Sequence, residues 1–373
     1  MKIIIILPDL CGGGAERIYV DLAKDWINNN HSVDFILMRK KGELLSLMHP
    51  KINILEFSSK RIRNFILPLV KYLMHNKPDI ILSSMWPLTS VTVFSWLLSG
   101  RKGKLFLSEH VILSTSVANE LFLPLWAVSV SLKITYPLAS GIIAVSKIVK
   151  NDLCSFGKIP CEYIKLIYNP AATGVETYRA SDAQRNKLWD GDYESNILSV
   201  GALKFEKDHK TLIQAFSYVV RGNSNAKLVI LGDGPLRGNL EDLILQLGLK
   251  NNVELPGFIL NPYPWYRSAD LFVLSSLWEG FGNVIVEALE CGVPIVSTDS
   301  GGPTEILKHG FYGKLVPVGD SHVLALAINE SLRKSHNSSL LMNRAKDFTL
   351  ENISKQYLHY FISGNSKLER FKQ

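Results

Sequence analysis

The stretch LWEGFGNVIVEALECGVPIVST, residues 277–298, follows ADLFVLSS, residues 269–276. ADLFVLSS is a short apolar run of strand type, and VPIVST (293–298) is another. Between them NVIVEALECG (283–292) has helical spacing and closes on Gly292, the residue that most readily caps a helix C-terminus. Strand, turn, helix and strand in this order make a unit of a parallel sheet. Two carboxylates mark it: Glu279 in the turn and Glu287 about a turn into the helix, on either side of the bare Gly280-Phe281-Gly282.

The same alternation extends in both directions. Upstream run the strand NILSVGAL (196–203), the helix HKTLIQAFSYVV (209–220), the strand AKLVILGDG (226–234), the helix PLRGNLEDLILQLG (235–248) and the strand NVELPGF (252–258). The first half repeats the pattern, with strands at 3–7, HSVDFILM (31–38), DIILSS (79–84), KLFLSEH (104–110) and GIIAVS (141–146). Between the halves, YNPAATGVETYRASDAQ (168–184) turns to small and polar residues, as linkers do. The expected organisation is therefore a Rossmann-like domain at 1–170, a linker at 171–193, and a second Rossmann-like domain at 194–348. A final helix at 349–373 can fold back on the first domain. Two doubly wound domains joined in this way face a central cleft, and ligands of such sheets bind at the carboxyl ends of the strands.

Composition narrows the class. The 373 residues are 47% hydrophobic with a mean hydropathy of +0.11, high for a soluble protein, which suits a large α/β core or a surface that meets lipid. Residues 1–170 hold 20 Lys and Arg against 12 Asp and Glu, whereas the remainder holds 21 against 22, so the basic excess lies in the first half. An uneven charge of this kind points to anionic lipid, nucleic acid or a phosphorylated substrate. The four cysteines, Cys11, Cys154, Cys161 and Cys291, make no zinc-type spacing. A disulfide framework is not expected in so large a chain, which favours a reducing cytoplasm. Between Lys2 and Pro8 lie five apolar residues, too few for a signal peptide and suited to a buried parallel strand.

The turns after strands carry the candidate chemistry. Gly12, Gly13 and Gly14 open a helix with backbone that a ligand can approach closely, although neither a dinucleotide fingerprint nor a P-loop is present. Gly232 and Gly234 flank Asp233 in a second such turn, where a structural role is equally open. Lys207 lies just past a strand and could neutralise a diphosphate leaving group; as a lone lysine it could equally be surface charge. His110 ends a strand of the first half, where a lone histidine is more often a satisfied core residue. Around Gly280–Gly282 the N–H groups at a helix start form an anion cradle, and Glu279 and Glu287 can accept hydrogen bonds from hydroxyls. A nucleotide-sugar, with a diphosphate between two polyols, has the matching shape.

E-G-F-G followed by four residues and Glu287 resembles the E-x7-E motif of retaining glycosyltransferases of family 4, which have the GT-B fold. The likeness extends through GGGAER, SEH, VGALKFEKDHKTLIQAF, LVILGDGPLRGNLE, NNVELPGF and GVPIVSTDSGGPTEI. It implies that Glu279 binds sugar hydroxyls of the donor and that the backbone from Gly280 through Phe281 and Gly282 to Asn283 holds its diphosphate. By the same resemblance Glu287 binds the ribose, Lys207 the phosphates, and His110 the donor sugar from the opposite domain. Gly13 and Gly14 would face the reacting centre, and Phe258 and Ile259 the base. The family works without a metal or other cofactor and without an assigned protein nucleophile. A uridine-diphosphate-linked hexose or N-acetylhexosamine is the donor it suggests. One departure stands out: Ala202 occupies a position where many members have Arg, with Lys204 two residues on.

SSKRIRNFILPLVKYLMH (58–75) interleaves Lys60, Arg61, Arg63 and Lys71 with bulky apolar residues, a combination suited to an anionic bilayer surface or a lipid-linked saccharide acceptor. LFLPLWAVSVSL (121–132) is apolar enough to meet lipid, yet a core helix explains it as well. The expected location is cytoplasmic, at the inner face of the membrane. Two rivals remain on these grounds: a basic membrane- or nucleic-acid-binding protein without transferase activity, its nucleic-acid form opposed by the absence of any nucleic-acid motif, and another GT-B enzyme such as an epimerase or a phosphorylase.

Overall fold

The computed structural model describes residues 1–11, 13–57, 62–121, 123–174 and 187–364. They form two compact units, one of residues 1–170 with 350–373 and one of residues 171–349. Each has its own parallel sheet.

The first sheet contains β1 (Lys2–Leu7), β2 (Ser32–Leu37), β3 (Asn53–Glu56), β4 (Ile80–Ser84), β5 (Lys104–Glu109), β6 (Gly141–Ala144) and β7 (Ile164–Leu166). Their order is β3-β2-β1-β4-β5-β6-β7, all parallel. In β1 the run Ile3–Leu7 is fully buried, as a central strand covered on both faces must be. Ile3, Ile5 and Leu7 join the core under the helices Gly14–Asn28 and Leu350–Ser363. Ile4 and Ile6 alternate with them and face the opposite layer.

The helix Leu350–Ser363 belongs to this first unit. Trp26, fully buried, meets the ring of Tyr357 at 6.2 Å and that of Phe361 at 5.6 Å, while Phe361 also stacks on Phe106 at 4.8 Å. Ser354 donates to Asp25 at 2.5 Å, and Lys104 Nζ reaches the carbonyl of Ile362 at 2.8 Å.

The second sheet contains β8 (Ser195–Val200), β9 (Ala226–Leu231), β10 (Val253–Gly257), β11 (Leu271–Leu274), β12 (Ile295–Thr298) and β13 (Lys314–Val316). The order is β10-β9-β8-β11-β12-β13, again all parallel. Leu212 and Phe216 of the helix His209–Gly222 and Leu324 and Ile328 of Ser321–Arg333 share a core with Ile197, Leu228, Val273 and Val296.

Two expectations change. Of the stretch read as a linker, residues 175–186 lie outside the described residues, but both ends are packed into the second unit. Thr173 and Gly174 donate their N–H groups to Glu290, and Trp189 is fully buried with its indole N–H on Ser268. Against the expectation of no disulfide, Cys154 and Cys161 are joined, with Cα atoms 5.3 Å apart. They are seven positions apart in sequence, and the turn after the helix Lys147–Ser155 returns the second cysteine to the first. Cys11 and Cys291 are free.

Phe361→Ala removes a fully buried ring that closes the core between Trp26 and Phe106. We expect a loss of about 3–5 kcal/mol, the usual range for Phe→Ala in a core, read by urea unfolding.

Candidate functional site

In a doubly wound sheet the crevice opens where the strand order reverses. In the second unit that point lies between β8 and β11, so the turns after these two strands meet there. Lys207 comes from the first of these turns and Glu279 from the second. Their side chains pair at 2.5 Å, and Ser276 donates to the same carboxylate oxygen at 2.8 Å. Glu279 is buried and Lys207 about a fifth exposed, so the pair sits at the edge of solvent, where a charged ligand can reach it.

The backbone fixes this meeting. Ser275 donates to the carbonyl of Lys207 at 2.9 Å, and Leu277 N–H to the carbonyl of Glu206 at 2.8 Å. Glu279 N–H bonds Ser300 at 2.8 Å, and its carbonyl accepts from Gly302 at 3.0 Å. A Cβ on Gly302 would lie 2.2 Å from the carbonyl oxygen of Phe281, so only glycine lets the two loops approach. Phe281 itself is a core residue, its ring 5.6 Å from that of Phe348, which leaves its backbone alone to serve a ligand. Gly282, at φ +99°, caps the helix Asn283–Glu290 and turns the chain so that this N-terminus follows directly on Glu279–Phe281. Aligned peptide dipoles and the N–H groups of the first turn make a helix N-terminus of this kind attractive to an anion.

Glu287 accepts from Tyr266 at 2.8 Å and is partly exposed. One turn on, Glu290 has a different job that the sequence did not reveal. It is buried and takes hydrogen bonds from Thr173 N–H, Gly174 N–H and Tyr263 OH, which anchors the start of the second unit. Phe258 and Ile259 follow β10, exposed and partly exposed. Gly232 and Gly234 are structural: a Cβ on either would strike the carbonyl of Gly201 or of Leu203. Lys204 is exposed and lines a pocket with Phe205, Asp208 and Leu236, whereas Lys207 is the cation that meets Glu279.

In the first unit the corresponding turns follow β1, β4 and β5. Gly13 caps the helix Gly14–Asn28 with φ −70°, a conformation open to any residue, but a Cβ there would lie 2.0 Å from the Glu16 carboxylate. His110, just after β5, is buried. Its Nε2 lies 2.8 Å from Tyr19 OH and 3.2 Å from Ser108 Oγ, while no hydrogen-bond partner reaches Nδ1 among the described residues. Burial drives its pKa down to about 3, so the ring is neutral at working pH and Nδ1 is its uncommitted polar atom. Arg63 and Lys71 are exposed near the helix Ile66–Asn76; Lys60 and Arg61 lie outside the described residues.

Beside His110 the sequence reading missed Glu109. This carboxyl is fully buried and accepts hydrogen bonds from Tyr136 OH, Thr89 and the N–H of Trp86. Desolvation outweighs these bonds and raises its pKa to about 7. Among the described residues no group of three or more His, Cys, Asp or Glu gathers as a metal site would, and no helix is long and apolar enough to cross a membrane.

Two parallel sheets with this strand order, each followed by ligand-type turns, define a GT-B protein. A search of solved structures finds the Anabaena protein HepE, in a structure with UDP-glucose, at a TM-score of 0.81 over 97% of this chain and 100% of that one, with 23% identity. The family model "Glycosyltransferase Family 4" matches residues 12–174 and "Glycosyl transferases group 1" matches residues 181–348, so the chain belongs to glycosyltransferase family 4. One relative is a Campylobacter jejuni N-acetylgalactosamine-N,N'-diacetylbacillosaminyl-diphospho-undecaprenol 4-alpha-N-acetylgalactosaminyltransferase, 32% identical over 62% of each chain. Another C. jejuni enzyme, an alpha-1,4-N-acetyl-D-galactosaminyltransferase acting on a diphospho-undecaprenol-linked saccharide, is 26% identical over 96% of this chain and 97% of its own. The first relatives in rank are matched over only 48–62% of their length.

A raised carboxyl pKa stabilises the fold fully below the unfolded value of 4.5 and loses that contribution as pH rises through 7. We expect the wild type to lose about 3 kcal/mol relative to Glu109→Gln between pH 4 and pH 8. Paired urea titrations check this. Because buried His110 and His209 titrate in both proteins, their opposite pH dependence cancels in the difference.

Proposed function

We propose that the protein transfers a hexose or N-acetylhexosamine from a nucleoside-diphosphate sugar to a lipid-linked saccharide in surface polysaccharide or lipopolysaccharide assembly. It does so with retention of anomeric configuration and without a metal ion, at the inner face of the membrane. The observation that carries this reading is the Lys207–Glu279 pair at the switch point of the second sheet, beside the helix N-terminus at Gly282. A cation, a carboxylate and backbone donors at one point match a diphosphate with a polyol attached. The names of the C. jejuni relatives support the lipid-linked acceptor.

Lys207 and the N–H groups from Gly280 to Asn283 stabilise the diphosphate as negative charge grows on it, which lowers the barrier to breaking the glycosidic bond. Glu279 is held by Lys207 and Ser276 so that its second oxygen can accept from hydroxyls of the sugar being transferred. Glu287, braced by Tyr266, accepts from the ribose, and Phe258 and Ile259 flank the base. His110 donates or accepts through Nδ1 to the same sugar, and Gly13 and Gly14 leave room at the reacting centre. A leaving phosphate oxygen takes the acceptor proton on the face it departs from, so no protein nucleophile is needed. With Ala202 where many family members have Arg, the phosphates depend more heavily on Lys207.

The two glutamates then differ in kind. Glu279→Gln replaces charge-assisted hydrogen bonds by weaker neutral ones at groups that matter as the bond breaks. We expect kcat to fall roughly 10- to 100-fold, with binding of the free nucleoside diphosphate preserved. Glu287→Gln should weaken that binding, about tenfold, because the ribose is part of the nucleoside diphosphate. Calorimetry with UDP decides between them; weakened binding in Glu279→Gln alone, or to the same extent in both variants, overturns the assignment.

A further inference from the structure

We propose that the outward faces of three helices of the first unit, Ile66–Asn76, Leu88–Leu98 and Leu125–Thr135, form one docking surface for an anionic lipid bilayer. It deepens the partner assigned above and rests on that reading only for the acceptor it would bring within reach.

The helix Leu88–Leu98 packs against both of the others, so the three lie side by side. Each turns apolar residues inward: Leu69 and Leu73, Val93 and Trp96, Val128 and Leu132. The fold therefore makes no further demand on their outer faces. Those faces are nevertheless apolar, at strict helical spacing. Leu67, Lys71 and Met74 are exposed on the first, Phe94 and Leu98 on the second, and Trp126, Val130, Lys133 and Ile134 on the third. Exposure reaches 72% at Trp126, 69% at Leu67 and 66% at Leu98, so these are not residues at the margin of a core. An apolar patch of this extent on a folded unit marks a binding surface.

Charge selects the occupant. None of the three helices contains Asp or Glu, whereas Lys71 and Lys133 stand on the exposed faces. Arg63 precedes the first helix, and Arg101 and Lys102 follow the second, all exposed. A second copy of the same face would set like charges against each other, while an anionic headgroup layer answers both the apolar rows and the cations. Each helix has 11 residues, about 16 Å, too short to span a bilayer and suited to lying in its plane. Trp126, at the start of its helix, is the residue type that settles where headgroups meet acyl chains.

The test uses the full chain with vesicles of phosphatidylglycerol and phosphatidylcholine, and with vesicles of phosphatidylcholine alone, assayed by co-sedimentation without nucleotide or acceptor. We expect binding to the anionic vesicles, reduced at least roughly tenfold by combined Trp126→Ser, Val130→Ser and Ile134→Ser. Lys71→Ser with Lys133→Ser should weaken it as well and make what remains less sensitive to salt. Wild-type tryptophan emission should shift to the blue on binding, and Trp126→Phe should lose most of that shift. UDP binding, retained in each variant, reports that the protein is folded; if the triple variant loses it, Trp126→Ser alone carries the comparison. Unchanged sedimentation of the apolar variant overturns the proposal, as does equal binding to both vesicle types. A wild-type dimer that the apolar variant dissolves, with no vesicle binding, also overturns it and assigns the face to a second copy. Vesicle binding as expected, in a protein that transfers no sugar, leaves this surface standing and removes the function proposed above.

Discussion

All strands of each sheet run in one direction, and the remaining architecture depends on that. A parallel pair cannot be closed by a tight turn, so every strand is followed by a crossover, and the sheet is buried on both faces. The turns at the carboxyl ends then gather along one edge, separated from the packing that holds the sheet together. Where the order reverses, between β8 and β11, neighbouring helices leave in opposite directions and the two turns are free to meet. Lys207 and Glu279 stand there because of connectivity, though they are 72 positions apart in sequence.

The pairing of these two has a second aspect. With Glu279 buried and Lys207 about a fifth exposed, neither charge is fully hydrated, and removing one partner leaves the other without its counter-charge. On the function proposed here, a sugar diphosphate entering such a site would compete with Glu279 for Lys207 and offer hydroxyls to Glu279 in exchange. The site is thus balanced by itself and can be rebalanced by a ligand carrying both groups. A ligand with phosphate alone would satisfy the lysine and leave the carboxylate with Ser276 but without a counter-charge.

Long central strands and the helices after them were legible in the sequence, because IIIIL, the IIL of DIILSS and the LVIL of AKLVIL are apolar cores bounded by turn and helix signals. The short edge strands β3, β7 and β13, of three or four residues, were not; with polar neighbours and one side unpaired they carry little pattern. At the candidate site, Glu279, Glu287 and Lys207 stood out through glycine-rich turns and motif spacing. Glu290 and Glu109 were missed, since what makes them notable is burial and the partners gathered around them. Trp189 was hidden in a stretch whose composition is that of a linker, because one large ring among polar residues does not alter an average. The disulfide joins two cysteines whose spacing matches no common motif, and it became visible only where the chain turned back. The helix at 125–135 was ambiguous for a physical reason: it is apolar both where it packs and where it does not.

The helix Leu350–Ser363 gives the first unit a discontinuous chain. Residues 171–349 form an uninterrupted unit, whereas the first is assembled from two pieces that lie on either side of it. During synthesis the second unit can complete its core from contiguous sequence. Trp26, made early, waits for Tyr357 and Phe361, and until they arrive its ring and that of Phe106 remain uncovered. The core of the half translated first is therefore closed by residues that are translated last.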